Sequence, residues 1–312
     1  MEIPGKNHFP SNKPCLALSY KVQMIPVTSR RQFLRRFASL TAFGSVSGGG
    51  AFGYGSLVER HWVQTVRRDI VLPNLPVELD GFRIAQLSDL HLEPWTKAEE
   101  IAEAVAHTNS LKPDLIVITG DFITDSSKPA GPLAEILAAL EAPYGVLGCM
   151  GNHDVWHQPA VLTRFMKERQ IDILRNEGMR LQTEKGSLFI AGVDSAWAGR
   201  PDIKQSLRDW DGAEALVILA HEPDTADDIA QTGLAALQLS GHTHGGQVCL
   251  PSLSPIALHL PKLGKKYRHG HYEIGKLQLY VNRGIGCIGL PVRFACPPEV
   301  TEITLRSRLT LA

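Results

Sequence analysis

From about residue 69 the chain alternates short, almost wholly apolar runs with stretches in which apolar residues recur every three or four positions. Short apolar runs bounded by turn formers read as buried strands, and the three-four spacing reads as helix. The runs predict strands at Phe82–Leu87, Leu115–Thr119, Gly145–Met150, Leu188–Val193, Leu216–Ala220, Leu237–Ser240 and Leu277–Asn282. Helical spacing occupies Ala98–Asn109, Leu133–Leu140, Val161–Arg169 and Thr225–Gln231, with Pro113 and Pro143 as stops. Strands without a polar face must be covered on both sides, so their alternation with helices predicts a layered α/β fold. No repeat and no linker divides this part, which predicts one catalytic domain over residues 69–312.

Almost every predicted strand runs into residues that can bind metal. Phe82–Leu87 leads to Ser88-Asp89-Leu90-His91, Leu115–Thr119 to Gly120-Asp121, and Gly145–Met150 to Gly151-Asn152-His153-Asp154. Leu216–Ala220 leads to His221-Glu222, and Leu237–Ser240 to Gly241-His242-Thr243-His244-Gly245-Gly246. The carboxyl ends of strands are where open α/β sheets gather ligand groups. Residues two apart on an extended chain face the same way, so Asp89 with His91, and His242 with His244, are expected to converge. Gly245 and Gly246 would let the backbone approach the site closely. One Gly-Asp, or one histidine after a strand, is ordinary turn or packing chemistry. Five such clusters in one chain are not accounted for by turns.

In this order the motifs D-x-H, G-D, G-N-H-D, H and G-H-x-H resemble those of the calcineurin-like metallophosphoesterase superfamily over about residues 80–250. Val281-Asn282-Arg283-Gly284-Ile285-Gly286 and Cys296-Pro297-Pro298-Glu299-Val300 look most like its exported or membrane-associated bacterial branch. That branch is similar to the pyrophosphatases acting on UDP-2,3-diacylglucosamine in lipid A biosynthesis. The resemblance implies a four-layer α-β-β-α sandwich with two metal ions at the strand ends. One ion would take Asp89, His91, a bridging Asp121 and His244; the other would take Asp121, Asn152, His221 and His242. Mixed imidazole and carboxylate ligation suits Mn, Zn or Fe without choosing among them. The resemblance also implies that His153 faces the scissile phosphate, with Asp154 and Asp125 available to orient it or a ligand. The spacing from Asp121 to Asp125, and Ser126 after it, depart from the Ser/Thr protein phosphatase pattern. Asp194 receives no role, and Trp197 is expected to pack in the core or a loop.

The activity implied is hydrolysis of phosphodiester or pyrophosphate bonds, on lipid or cell-envelope intermediates. Two alternatives stay open: a broad-specificity phosphomonoesterase, and a metal-binding scaffold of the same fold without turnover. Against the scaffold, all seven ligand positions and His153 are present.

Charge sharpens this picture. Basic and acidic residues number 32 each. Residues 1–36 nevertheless carry seven Lys/Arg against Glu2, and residues 255–293 carry seven against Glu273, which leaves residues 37–254 at −12. An acidic body fits bound cations, and a basic stretch fits an anionic ligand. Lys265 and Lys266, soon after the His242–His244 loop, and Arg283 are therefore the candidate substrate contacts. The stretch lacks the interleaved aromatics of a single-strand-binding surface, which argues against nucleic acid.

Ser29-Arg30-Arg31-Gln32-Phe33-Leu34-Arg35 precedes the uncharged, glycine-rich Phe37–Val58 and resembles a twin-arginine export signal. Residues 1–58 are read as a leader, with Met24 as an internal candidate start. The protein is then expected to reach the periplasm or cell envelope through the twin-arginine machinery. No Ala-x-Ala site follows, so a retained amino-terminal membrane anchor stays open. Beyond the signal, Cys149, Cys249, Cys287 and Cys296 form no C-x-x-C pair, and Cys287 with Cys296 is the one pair to test for a bridge.

Overall fold

The apolar runs fold as central strands buried on both faces in a computed structural model, which describes residues 49–249 and 260–310. The first sheet holds β1 (Gln64–Leu72), β2 (Arg83–Leu87), β3 (Leu115–Thr119), β4 (Val146–Cys149), β5 (Ile171–Ile173) and β12 (Glu299–Ser307), in the order β1-β12-β2-β3-β4-β5. The second holds β6 (Glu177–Thr183), β7 (Gly186–Gly192), β8 (Ala215–Leu219), β9 (Ala236–Ser240), β10 (Gly270–Ile274) and β11 (Leu277–Val281), in the order β10-β11-β9-β8-β7-β6. Strands β2 to β5 are mutually parallel, as are β7, β8, β9 and β11. Helices α1 (Ala98–Ser110), α2 (Ala130–Leu137), α3 (Asn152–Trp156) and α4 (Pro159–Glu168) connect strands of the first sheet. Helices α5 (Ile203–Ser206) and α6 (Ala226–Gln231) connect strands of the second.

The period-two alternation of strands sorts apolar side chains into three interfaces. Ile116 and Ile118 of β3 join Leu87, Ile101 and Leu133 beneath the helices of the first sheet. Their neighbours Leu115 and Val117 turn the other way and meet Val217, Leu219, Leu237 and Leu239 between the sheets. Leu216 and Ile218 of β8 face outward against Ala226 and Ile229 of α6. Three interfaces make four layers, α-β-β-α, as the resemblance implied.

Polar bonds join the sheets near the ends that deliver the polar clusters. Gln86 Nε2 donates to the Ser240 carbonyl at 2.9 Å, Asn282 Nδ2 to Thr301 Oγ1 at 2.8 Å, and Tyr280 Oη to Glu299 Oε1 at 2.6 Å. Each partner lies within the buried set, so the bonds are shielded from competing water.

All seven predicted strands form, with ends within two residues of those read from the sequence. β1, β5, β6, β10 and β12 were not foreseen. β1 and β6 carry charged residues at exposed positions, and β5 is only three residues long. The sheet also starts at Gln64, ahead of the expected domain start at 69. The twin-arginine-like motif lies outside the described residues. The end of the expected leader does not: residues 49–57 are helical, the Gly55 carbonyl accepts from Arg293 N–H at 3.1 Å, and the Tyr54 ring meets Phe294 edge-on. No helix among the described residues is long and apolar enough to cross a membrane.

Leu237 is fully buried in the inter-sheet layer. Leu237→Ala is expected to lower the unfolding free energy by ~2–5 kcal/mol, through lost burial and the cavity left behind. Urea unfolding of the metal-free protein, followed by circular dichroism, measures the shift.

Candidate metal centre

Every polar cluster foreseen at a strand end sits at the junction of the two sheets, and the backbone there is unusual. Asp89, His91, Asp121, His242 and His244 have φ of +49°, +46°, +53°, +73° and +50°. Side chains other than glycine's rarely occupy this left-handed region, and such strain concentrates at functional sites. Asp89 and His91 thus converge through tight left-handed turns, not through the extended geometry expected. Glycines allow the close approach: a Cβ on Gly241 would lie 1.8 Å from Ser88 Oγ, and one on Gly151 would lie 2.1 Å from Asp121 Oδ1.

Two groups of ligand atoms result, each drawing on both sheets. Asp89 and His91 from the first sheet meet His244 from the second, and Asp121 from the first meets His221 and His242 from the second. Within each group the candidate atoms lie within 4.8 Å of one another. His242 and His244 fall in different groups. Asp121 stands between the groups, with Oδ2 3.4 Å from His91 Nε2 and 3.1 Å from His221 Nε2. Asn152 lines the same 90 Å³ cavity. Asn152 Oδ1, His91 Nε2 and His244 Nδ1 are buried without a hydrogen-bond partner. Native proteins rarely leave such atoms unpaired, and this donor set fits a pair of divalent or trivalent ions.

The hydrogen-bond network assigns the imidazole tautomers. His221 Nδ1–H donates to the Thr119 carbonyl at 2.7 Å and His242 Nε2–H to the Lys262 carbonyl at 2.7 Å. That leaves His221 Nε2 and His242 Nδ1 as the inward atoms, 3.2 Å apart. Outer partners of this kind fix ring orientation at metal sites. Asp89 accepts from Ser88 Oγ at 2.6 Å and from His242 N–H at 3.0 Å. Asp154 accepts from the N–H groups of Phe122, Ile123 and Gly151, which staples the Asp121 turn to the Asn152 turn. Asp125 is exposed. His153 is oriented instead by the Thr124 carbonyl, which accepts from its Nδ1–H at 2.8 Å.

Burial dominates the titration of these groups. It drives His91 down to about 3 and His244 well below the usual histidine range, so both rings are neutral donors of a lone pair. It pushes Asp89 up to about 6. At Asp121 burial works upward, but the charge and hydrogen bond of His221 hold the carboxyl well below its usual value. His221 is correspondingly raised: burial works to lower it, and Asp121 more than offsets that.

Residues without an expected role shape the rim. Glu222 accepts from Ser195 Oγ at 2.5 Å and Ala196 N–H at 2.9 Å, while Asp194 accepts from Arg200 N–H at 2.9 Å and from Arg175. The loop they hold brings Trp197 to the cavity wall, edge-on to His242 at 5.6 Å and to Trp156 at 5.0 Å. Trp197 therefore borders the site, contrary to the packing role expected. Trp156, not singled out in the sequence, touches His153 at 5.2 Å and remains 46% exposed.

The expected substrate contacts are placed otherwise. None of Lys265, Lys266 and Arg283 lines the cavity. Lys266 Nζ is bound by Asp227 at 2.7 Å and Arg283 Nε by Glu299 at 2.5 Å, so carboxylates of this chain already engage both. The fully buried cation nearby is Arg293, which donates to the carbonyls of Arg283, Gly284, Gly286 and Cys296. All four described cysteines are free, and Cys296 Sγ donates to the His244 carbonyl at 3.2 Å, so the bridge envisaged for Cys287 and Cys296 is not formed.

The family model of the calcineurin-like phosphoesterases matches residues 82–246, a span that holds all seven candidate ligands and His153. The Bacillus subtilis (strain 168) protein named uncharacterized metallophosphoesterase YkuE is 38% identical over 283 residues, 89% of this chain and 98% of that one. Phosphodiesterase YaeI of Escherichia coli (strain K12) is 29% identical over 286 residues, 89% of this chain and 99% of that one. Among solved structures, TT1561 of Thermus thermophilus superposes with a TM-score of 0.45 at 13% identity, covering 66% of this chain and 90% of the other.

Because Asp121 stands between both groups, Asp121→Ala is expected to reduce retained metal from about two ions per chain to fewer than one. Elemental analysis after gel filtration reads the stoichiometry, with circular dichroism showing that the fold persists. Undiminished metal in the variant contradicts the shared-carboxylate assignment.

Proposed function

The chain belongs to the calcineurin-like phosphoesterase family, and from that membership we propose a dinuclear metal-dependent hydrolase of phosphodiester or pyrophosphate bonds, acting on lipid or cell-envelope intermediates. The observation that carries the reading is the pair of ligand groups on either side of Asp121, beside a histidine that neither group uses. Asp89, His91, Asp121 and His244 would hold one ion, and Asp121, Asn152, His221 and His242 the other. Such ions supply charge neutralisation at the phosphoryl oxygens and activation of the attacking water.

The chain's own residues then account for the leaving group. His153 spends Nδ1–H on the Thr124 carbonyl and its backbone N–H on Asp121 Oδ1, which leaves Nε2 as the remaining polar atom of a half-buried ring at the cavity wall. Protonated there, Nε2 gives its proton to the departing oxygen as the phosphorus–oxygen bond breaks. Trp197 narrows the opening beside it.

No Lys or Arg lines the cavity among the described residues. A singly charged diester needs less neutralisation than a doubly charged monoester, and this supports the diesterase reading. Export through the cytoplasmic membrane by the twin-arginine machinery, with an anchor retained at the amino terminus, is proposed from Ser29–Arg35 and the uncharged residues that follow.

Metal-stripped protein resupplied separately with Mn, Zn or Fe is expected to hydrolyse bis-p-nitrophenyl phosphate with a higher kcat/KM than p-nitrophenyl phosphate. His153→Ala should lower kcat on the diester ~10²–10⁴-fold with metal content unchanged, the range for a lost general acid. A preference for the monoester would replace this reading with the phosphomonoesterase. No turnover with two ions bound would sink the general diesterase reading and leave either a narrow substrate or the scaffold.

A further inference from the structure

A second concavity opens beside the metal cavity. Its walls are the helical residues 49–57, through Ala51 and Phe52, and the segment from Ile288 to Phe294; its floor is Gly246 to Val248. It encloses 520 Å³ against 90 Å³ for the metal cavity, and Gln247 and Ile288 line both. The smaller space suits a phosphoryl group and little more, so the rest of any substrate lies outside it.

Chemistry decides what the larger space accepts. Its polar groups are already used: Gln247 Nε2 donates to the carbonyls of Ile288 and Leu290 at 3.1 and 3.0 Å, and Gln247 Oε1 accepts from Ile288 N–H at 2.8 Å. Cys249 N–H donates to the Phe294 carbonyl at 2.8 Å, and Phe294 N–H to that of Gln247 at 3.0 Å. What remains exposed is hydrocarbon. Two of the large apolar side chains left exposed, Phe52 and Leu290, line it together with Val248, Ile288, Val292 and Phe294. Apolar surface gathered in this way marks a binding site more often than chance exposure.

We propose that this groove holds the hydrocarbon chain of an amphiphilic phosphate ester whose phosphoryl group sits at the metal centre. The inference rests on the metallophosphoesterase reading and adds what lies on the far side of the scissile bond. Continuity between the spaces, through Gln247 and Ile288, lets one molecule occupy both. The groove is built from the end of the uncharged stretch Phe37–Val58, so the same part of the chain that suggests membrane proximity also forms the wall.

The test is a series of n-alkyl phosphates from butyl to decyl, below their micellar concentrations, as inhibitors of bis-p-nitrophenyl phosphate hydrolysis by the full-length, metal-loaded protein. Each buried methylene should lower the inhibition constant about threefold to fourfold until the groove is filled. Leu290→Asp and Phe52→Asp, both at exposed side chains and so not expected to unfold the chain, should flatten that slope. Leu309→Asp, equally exposed but outside the groove, should keep it. If the diester is not hydrolysed, the catalytic reading fails alone: thermal stabilisation by the same series then reads the groove, and stabilisation growing with chain length still supports it. A flat series in either assay overturns the proposal, including the case where the chain's own residues before 49 fill the groove.

Discussion

Four carboxylates, Asp89, Asp121, Asp154 and Glu222, are at most 2% exposed at the ends of the parallel strands, and the rest of the site depends on how they are satisfied. A buried charge is tolerated only where it is paired or hydrogen-bonded. Asp154 takes three backbone N–H groups, and Glu222 takes the Ser195 hydroxyl with two N–H groups. Asp121 takes the His153 N–H and faces His91 and His221, while Asp89 takes Ser88 and the His242 N–H. In each case the partner belongs to another strand-end turn or to the same one, so satisfying the charges sets where the turns lie. Placement of the ligands and of the cavity wall is a consequence of that requirement.

The same requirement explains why the backbone is strained at these turns. Left-handed φ values at five of the seven candidate ligands draw side chains from two sheets into groups whose candidate atoms lie within 4.8 Å of one another. Such turns are unfavourable alone and persist when the surroundings over-determine them. The bonds of Gln86 to Ser240 and of Asn282 to Thr301 supply that rigidity, because they hold the sheets together just behind the site.

Much of this was legible in the sequence. Ile116 and Val217 belong to strands buried on both faces, and such strands show as unbroken apolar runs whatever lies around them. Aspartate and histidine directly after those runs are conspicuous because polar residues seldom cluster so regularly. β1, β6 and β10 were illegible for the opposite reason: one face meets solvent, and the charged residues there break the pattern. Trp197 was misjudged because its position depends on Glu222, which accepts its N–H from 25 residues further along the chain. Lys266 and Arg283 read as available cations, and only the folded chain shows Asp227 and Glu299 beside them. Charge counted along a chain says nothing of which charges are already answered.

Arg293 ties these threads into one physical unit. Its guanidinium, fully buried, donates to four carbonyls between Arg283 and Cys296 and so folds that segment around itself. From one side of the segment, Ile285 N–H donates to the Ser88 carbonyl at 3.0 Å and Gly286 N–H to that of Asp89 at 2.8 Å, which supports the left-handed turn of a candidate ligand. From the other, residues 288–294 form the apolar wall shared with the helical residues 49–57. A cation enclosed by carbonyls leaves little freedom to the chain that supplies them, since each unmade bond would strand a buried donor. The turn that presents Asp89 and the wall that faces hydrocarbon are therefore held by the same side chain. Their relative position is a property of the fold, not of two independently mobile loops.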